Sequence, residues 1–288
     1  MISFDYEGCP QGVALVRGEK NLNLSFLSGL IREKLREKNK ISILEIGAGG
    51  GRNLRALHER FGASVELFGT DISVAAIRYA RESGIGTFYL AASDNIPFEK
   101  KVDLILMIDV LEHLPTEACV KETLENARDH LSPGGRIYIS IPIELNRFSL
   151  TWFFSKVPYL QKATRICYGH VIQFERDRFL RLIDPAAFLI QEVFYSFHFL
   201  YQVHALIFFF LPKILVRGFL GEKVSNALRD SNELMAGRRF PIASLGKSIF
   251  VCLSQPLISL AFQESEFRRG SCAGAGNMHV IVAANTTV

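Results

Sequence analysis

Cysteine is scarce in this chain of 288 residues, and it is scattered. Cys9, Cys119, Cys167, Cys252 and Cys272 include no pair at metal-ligand or redox spacing. That fits a reduced compartment, with each thiol a small buried hydrophobe. No metal constellation is visible among the histidines and acids either, so no metal is expected. An apolar leader is also missing. The start, Met1-Ile2-Ser3-Phe4-Asp5, carries an early acid and no apolar core run, so no signal peptide is expected. No internal repeat appears. Net charge is only +4, but it is unevenly spread: seven Lys/Arg face two Asp/Glu from Arg147 to Arg181, and seven face three from Lys213 to Lys247. What the chain has in plenty is hydrophobic residues, at 49%, including 23 Phe. Basic charge beside apolar sequence points to an anionic membrane surface rather than to nucleic acid.

Hydrophobic periodicity organises the first two thirds. Residues 19–38 read as an amphipathic helix, with Leu24, Leu27, Leu30, Ile31 and Leu35 on one face and Arg32, Glu33, Lys34, Glu37 and Lys38 on the other. The apolar run Ile41–Ile46 reads as a buried parallel strand entering a glycine turn. Helix follows from about Asn53 to Phe61, then strand Val65–Gly69, helix Val74–Ser83, strand Thr87–Leu90, strand Val102–Met107 and helix Thr116–His130. Ser132-Pro133-Gly134-Gly135 reads as a turn and Arg136–Ile141 as a strand. Phe174–Ile183 looks helical, Leu189–Phe197 extended, and Met278–Ala284 is a last strand after a long apolar interval. Alternation of this kind predicts a mostly parallel sheet with helices on both faces.

Open parallel sheets bind nucleotides at the carboxyl ends of their strands, where strand order reverses. The first strand ends in Glu45-Ile46-Gly47-Ala48-Gly49-Gly50-Gly51. A dinucleotide loop, Gly-x-Gly-x-x-Gly, would place its third glycine at position 52, which is Arg52. The spacing therefore suits a ligand without a pyrophosphate. Asp71, at the end of the second strand, is placed to accept hydrogen bonds from two ribose hydroxyls.

With these pieces the chain resembles the class I S-adenosylmethionine (SAM)-dependent methyltransferases. Leu44–Gly51, Gly69–Ser73, Ile96-Pro97-Phe98, Val102–Leu106 through Val110–Leu114, and Leu131–Gly135 occur in that family's order and spacing. The resemblance covers roughly 40–145 and resumes at about 170–197 and 278–284. It implies a Rossmann-like, seven-stranded, mostly parallel sheet, here with an apolar helical insertion before the last strand. It also implies SAM as cofactor: Gly47, Ala48, Gly49 and Gly51 along the methionine and ribose, Glu45 near the ammonium, Asp71 on the ribose and Ile72 against adenine. The family often has an acid five residues before the Pro-Phe proline, bonding the adenine amino group. Here that place is Ala92, followed by Ser93 and Asp94. Asp94 is the stand-in this chain offers, or backbone amides serve instead.

Methyl transfer to a hydroxyl needs positioning and a nearby general base. Asp109 and His113 flank the end of the fourth strand, and His170 opens Gly169-His170-Val171. These three are the candidate bases, His113 foremost because histidine titrates near working pH. Its alternative role is a Glu112-His113 pair that only orients the loop. His58, His130 and His279 read as surface or structural residues.

The expected organisation is an N-terminal segment with a capping helix (1–40), a methyltransferase core (41–197), an apolar helical insertion (198–277) and a last core strand with the C-terminus (278–288). Within the core, residues 146–170 form an aromatic and basic insertion over the active site, with Trp152, Phe153, Phe154 and Tyr159 among Lys156, Lys162 and Arg165. In this respect the chain partly resembles the ubiquinone-biosynthesis O-methyltransferases, which implies a lipophilic acceptor. Phe197–Leu220, with the run Ile207–Leu211, reads as an interfacial helix pair rather than a single span, Ile249–Phe262 being a second apolar helix that could join it. A lid or a homodimer contact is the alternative use. The expected activity is methyl transfer to a hydroxyl of a lipophilic or lipid-linked small-molecule acceptor, at the cytoplasmic face of the membrane with peripheral attachment. Two alternatives stay open: methylation of a sugar or small polar metabolite, and a SAM-binding membrane scaffold without turnover.

Overall fold

The computed structural model describes residues 22–158, 160–161, 169–207 and 256–285. The expectations for Cys9, Tyr159, Lys162, Arg165, Cys167, Cys252 and residues 208–255 lie outside them, and with these most of the apolar insertion.

Seven strands form one sheet. They are β1 (Ile41–Ile46), β2 (Val65–Asp71), β3 (Thr87–Leu90), β4 (Val102–Ile108), β5 (Leu131–Pro142), β6 (Phe188–Ser196) and β7 (Asn277–Ala284). Their order is β3-β2-β1-β4-β5-β7-β6, with β7 antiparallel to both neighbours and the other pairs parallel. The expected mostly parallel sheet is therefore present, and the long interval falls between β6 and the antiparallel β7.

Helices α1 (Leu22–Glu37), α2 (Arg52–Phe61), α3 (Val74–Glu82), α4 (Glu117–Asp129), α5 (Leu150–Ser155), α6 (Arg176–Leu180) and α7 (Phe199–Ala205) join them, and residues 256–267 are helical. Every residue of β1 and β4 is buried, because helices cover both faces. Alternate side chains feed two cores. Ile41, Ile43, Leu104 and Leu106 pack with Leu27 and Ile31 of α1, Leu54 of α2 and Ile77 of α3. Leu44, Ile46, Ile105 and Met107 pack with Val120 and Leu124 of α4 and Phe179 of α6. The two-residue period of the strands thus sets which layer each side chain supports.

Strand order reverses between β1 and β4. The carboxyl ends of β1, β2 and β4 lie along one edge of the sheet, and the glycine loop, Asp71 and Asp109 project there.

The structure corrects several sequence expectations. Ser132-Pro133-Gly134-Gly135 is not a separate turn but a bulge inside β5: Val102 pairs with Leu131, and Leu104 next pairs with Arg136. Lys34 belongs to the buried side of α1, not its solvent face. Its Nζ donates to the Gly134 carbonyl at 2.7 Å, which lets the stem lie buried. Helix α6 is shorter than Phe174–Ile183: it spans Arg176–Leu180, and residues 181–182 form a turn. Cys119 and Cys272 are free and only half-buried rather than fully buried, with Cys272 packed against the edge of the core. Among the described residues, no helix is long and apolar enough to cross a membrane.

Candidate active site

A cavity of about 670 Å³ opens at this sheet edge. Its walls include Glu45, Gly47, Ala48 and Gly49 from the first loop, Asp71 and Ile72 after β2, Ser93 and Asp94 after β3, and Asp109 and His113 after β4. The sequence-predicted residues that do not reach the wall are Gly51 and His170. Arg52, Asn53 and Cys119 do reach it, and none of them is among the sequence-predicted site residues.

The loop needs its glycines. Gly47 has φ +72°, and a Cβ there would stand 2.6 Å from Val110 Cγ2. Gly49 and Gly51 also have positive φ, at 52° and 77°. Gly51 sits behind the loop, where a Cβ would approach the Phe88 ring, so it shapes the turn without lining the cavity. Asp71 holds the loop as well as facing the cavity. One carboxylate oxygen accepts from the Gly49 amide at 2.8 Å and the other from the Ser73 amide at 2.9 Å. Each oxygen retains a second lone pair for a ligand hydroxyl. Ser93 shares a hydrogen bond with Thr123 at 3.1 Å, and the Asp94 carbonyl accepts from Asn126, so both residues are fixed against α4. Ile72 is 54% exposed and offers an apolar surface at the cavity wall.

Glu45 is 1% exposed, and burial pushes its carboxyl up to about 8. Oε1 accepts from Asn53 Nδ2 at 2.6 Å, while Oε2 has no hydrogen-bond partner among the described residues. A buried oxygen in that condition is costly unless a ligand donor meets it.

Beyond β4 lies a cluster of acids and histidines. Asp109 opens onto the cavity with left-handed backbone (φ 52°), its amide bonded to the Ser140 carbonyl at 2.9 Å and its carboxylate near Asn277 Nδ2 at 3.3 Å. His113 Nδ1 faces the Gly169 carbonyl at 3.1 Å. A carbonyl can only accept, so Nδ1 carries the proton and Nε2 the lone pair. Burial, and then the neighbouring His170, push His113 down to about 4. His170 behaves oppositely. Burial alone would lower it, but the Glu144 carboxylate at 2.8 Å, with Glu112 and Asp109, raises it above the ordinary value.

The sequence had marked neither Glu112 as a deep charge nor Glu144 at all. Glu112 is 1% exposed, burial raises it to about 8, and neither of its side-chain oxygens has a hydrogen bond among the described residues. Its backbone carbonyl accepts from Val171 and Ile172, which ties the His170 segment beside it. Ligand atoms of Glu112, His113 and His170 lie within 4.8 Å of one another, a spacing that can hold a cation. No sequence spacing announces that cluster, because His170 arrives from a separate segment. His58 is exposed, and His130 and His279 serve hydrogen bonds elsewhere in the fold.

Comparison with known proteins places this edge in context. Residues 44–137, which span the glycine loop, Asp71 and the β4 cluster, match the family model described as a methyltransferase domain. Residues 44–137 thus form a methyltransferase domain, and the fold is that of the class I SAM-dependent methyltransferases. Its curated relatives include the ubiquinone biosynthesis O-methyltransferases of Rickettsia prowazekii, 24% identical over 46% of this chain and 52% of that protein, and of Rickettsia felis, 25% identical over 41% and 48%. The chain thus spans about half the length of the curated relatives it matches. Among solved structures, the plantazolicin methyltransferase BamL, in complex with a substrate analogue and SAH, shares the fold at TM-score 0.52 with 18% identity, covering 91% of this chain and 84% of that one. A candidate sarcosine dimethylglycine methyltransferase from Galdieria sulphuraria gives TM-score 0.50 with 15% identity over 90% and 83%. The methyltransferase domain implies SAM, and the cavity fits it: a glycine cradle that a Cβ would fill, a buried unmatched Glu45 oxygen, and a carboxylate with spare lone pairs at Asp71.

Proposed function

We propose that the protein is a SAM-dependent methyltransferase that moves a methyl group to a hydroxyl of a lipophilic or lipid-linked acceptor at a membrane surface. The observation that carries this reading is His113: a neutral imidazole on the cofactor cavity wall, its Nδ1–H turned to the Gly169 carbonyl. An oxygen nucleophile must lose its proton as it reacts, and Nε2 is the acceptor.

SAM supplies an activated methyl on a sulfonium; the protein supplies geometry and a proton acceptor. Asp71 orients the ribose, and Glu45 the amino-acid end. His113 Nε2 would take the proton that the acceptor's hydroxyl gives up, and SAM, when bound, would supply the methyl group and be left as S-adenosylhomocysteine (SAH). Glu144 holds His170 beside His113, and burial first, then this neighbour, keeps the base neutral.

Support for a lipophilic acceptor comes from the segment after β5. Phe148 and Phe153 are 64% and 51% exposed, Arg147 lies 5.5 Å over the Phe148 ring, and Lys156 5.0 Å over Trp152. Aromatic rings beside basic head groups suit an interface between apolar and aqueous phases. The names of the rickettsial relatives agree with an oxygen acceptor on a quinone-like molecule.

Labelled SAM incubated with the enzyme and a lipid extract, and separately with a sugar-nucleotide pool, tests the acceptor. Label in the lipid fraction is expected. Label only in the polar pool removes the lipophilic reading, and label in neither favours a non-catalytic scaffold. Flotation with anionic vesicles at low salt tests the surface: protein left at the bottom of the gradient rules it out.

A further inference from the structure

Four carboxylates stand on the cavity wall: Glu45, Asp71, Asp94 and Asp109. Glu45 and Asp71 serve the ammonium and the ribose in the reading above. Asp94 belongs to the stretch after β3, where its carbonyl is fixed against α4. Asp109 has no task yet. It is exposed, and its open face lies on the cavity. Its backbone is left-handed, at φ 52°, and the Ser140 carbonyl accepts from its amide at 2.9 Å. Its carboxylate accepts a long hydrogen bond from Asn277 Nδ2, at 3.3 Å, and is steadied by the Ser140 side chain. The ion pairs of the neighbouring cluster join Glu112, Glu144, His113 and His170 instead.

The charge of Asp109 is felt on two sides, by Glu45 of the first loop and by Glu112 and His170 beyond β4. It thus lies between the wall that takes the amino-acid end and the wall that carries the base, His113. The atom of SAM joined at once to the amino-acid chain, the ribose and the migrating methyl is the sulfur. Connectivity assigns that atom to the stretch of wall between Glu45 and His113.

Charge decides what this stretch must supply. In the open cavity water reaches Asp109. A ligand that fills the cavity takes that water away, and a carboxylate left dry is costly unless a cation meets it. A sulfonium is such a cation; a thioether is not. His170 and Arg52 also act on Asp109 through space. Without a carboxylate between them, these two cations would repel a sulfonium.

We propose that Asp109 is the counter-charge of the cofactor's sulfonium, so that the cavity holds the charged methyl donor more tightly than the neutral product. This rests on the SAM reading above. SAM carries one positive charge more than SAH, and the difference lies on the sulfur. Methyl transfer returns a bonding pair to sulfur and moves the positive charge to the proton that His113 accepts. The contact with Asp109 is therefore strong before transfer and weak after it, which favours exchange of spent cofactor for fresh. An asparagine at position 109 keeps the size and the left-handed backbone and loses the charge.

Calorimetry with three ligands tests the proposal: SAM, SAH and sinefungin, in which an amine, protonated at neutral pH, stands in place of the methylsulfonium. The wild type is expected to bind SAM and sinefungin more tightly than SAH. Asp109→Asn is expected to weaken both cationic ligands by about 10-fold, the scale of one charge pair a few ångströms apart in a partly wet site, and to leave SAH nearly unchanged. Retained SAH binding shows in the same experiment that the variant is folded. Asp94→Asn removes another wall carboxylate and is expected to leave the ratio of SAM to SAH affinity as it was. An equal loss for all three ligands in Asp109→Asn, or a ratio that the substitution does not move, overturns the assignment. So does a wild type that binds SAH more tightly than either cation, and so does an Asp94→Asn effect on the ratio as large as that of Asp109→Asn. Failure of the wild type to bind any of the three sinks the cofactor reading itself, which is a different result.

Discussion

His113 and His170 meet edge to face, their ring centroids 5.1 Å apart, and their surroundings shift their proton affinities in opposite directions. His113 is pushed down to about 4 by burial and by its neighbour, while His170 is raised because carboxylates outweigh its burial. The pair separates two jobs that a single histidine would mix. One imidazole stays neutral and able to take a proton; the other is biased toward its cationic form and fixed to Glu144.

A first prediction follows for the pH profile of catalysis. With His113 as base, activity should hold as pH falls through 6.5 and drop only as it approaches about 4. Replacing His170 by Gln removes the smaller of the two causes that depress His113, so the acid limb should move up from about 4 while burial still holds it below 6.5. His113→Gln should lower kcat by about 100-fold to 1,000-fold with little change in SAH affinity. An unchanged acid limb in His170→Gln separates the two rings and refutes their coupling.

Glu112 leads to a second prediction, on stability. Its folded pKa, about 8, lies above the unfolded value of 4.5. The native state therefore holds a proton that the unfolded chain releases between those values. The stability this provides is complete below about 4.5 and is lost as pH rises through 8. Glu112→Gln keeps the shape and removes the charge. Urea unfolding of the ligand-free protein should find the variant more stable than wild type at pH 8.5 by roughly 2–4 kcal/mol, with the gap nearly closed at pH 5. A variant less stable at both values would mean that the carboxylate is paired in the folded protein.

The parts of this site that sequence could reveal are those carried by one segment. Glu45, Gly47 and Gly49 follow an apolar strand directly, and Asp71 ends the next, so spacing alone predicts that they converge. Asp109 and His113 follow the same logic after β4. Glu144 escapes it because its partner, His170, lies across a separate stretch of chain, and only the sheet edge brings the two to 2.8 Å. Lys34 escapes for a related reason. Helical periodicity places it beside charged neighbours, but the acceptor that draws it inward, the Gly134 carbonyl, belongs to a strand bulge 100 positions away. The bulge itself looks like a turn in sequence because Pro-Gly-Gly breaks the two-residue alternation, while the backbone pairing resumes across it.

Gly47 permits a third prediction. An alanine Cβ would stand 2.6 Å from Val110 Cγ2 on backbone with φ +72°, so Gly47→Ala adds both a clash and backbone strain. A loss of roughly 2–4 kcal/mol in chemical denaturation is expected, together with loss of SAH binding. Adding Val110→Ala should recover part of the stability by removing the clash, but not the part owed to φ. If the double variant is no more stable than the single, the valine is not the obstacle.

Glu45 provides the last prediction, read in protons. In the ligand-free protein its carboxyl is held near 8 by burial, so at pH 7 it is mostly protonated. An ammonium seated against it favours the ionised form and lowers that value. Binding must then expel a proton at pH 7 and expel progressively fewer as pH rises past 8, with SAH affinity increasing over the same interval. Calorimetry in buffers of different ionisation enthalpy should record close to one proton released per SAH at pH 7 in the wild type. In Glu45→Gln the release should fall toward zero, because Gln keeps the Asn53 contact without a proton to lose. Release that persists in the variant would assign the proton to another buried acid: Asp109, on the cavity wall and also raised by burial, or Glu112 at about 8. The same titration with Glu112→Gln distinguishes Glu45 from Glu112, since of these two only Glu45 lines the cavity that the ligand enters.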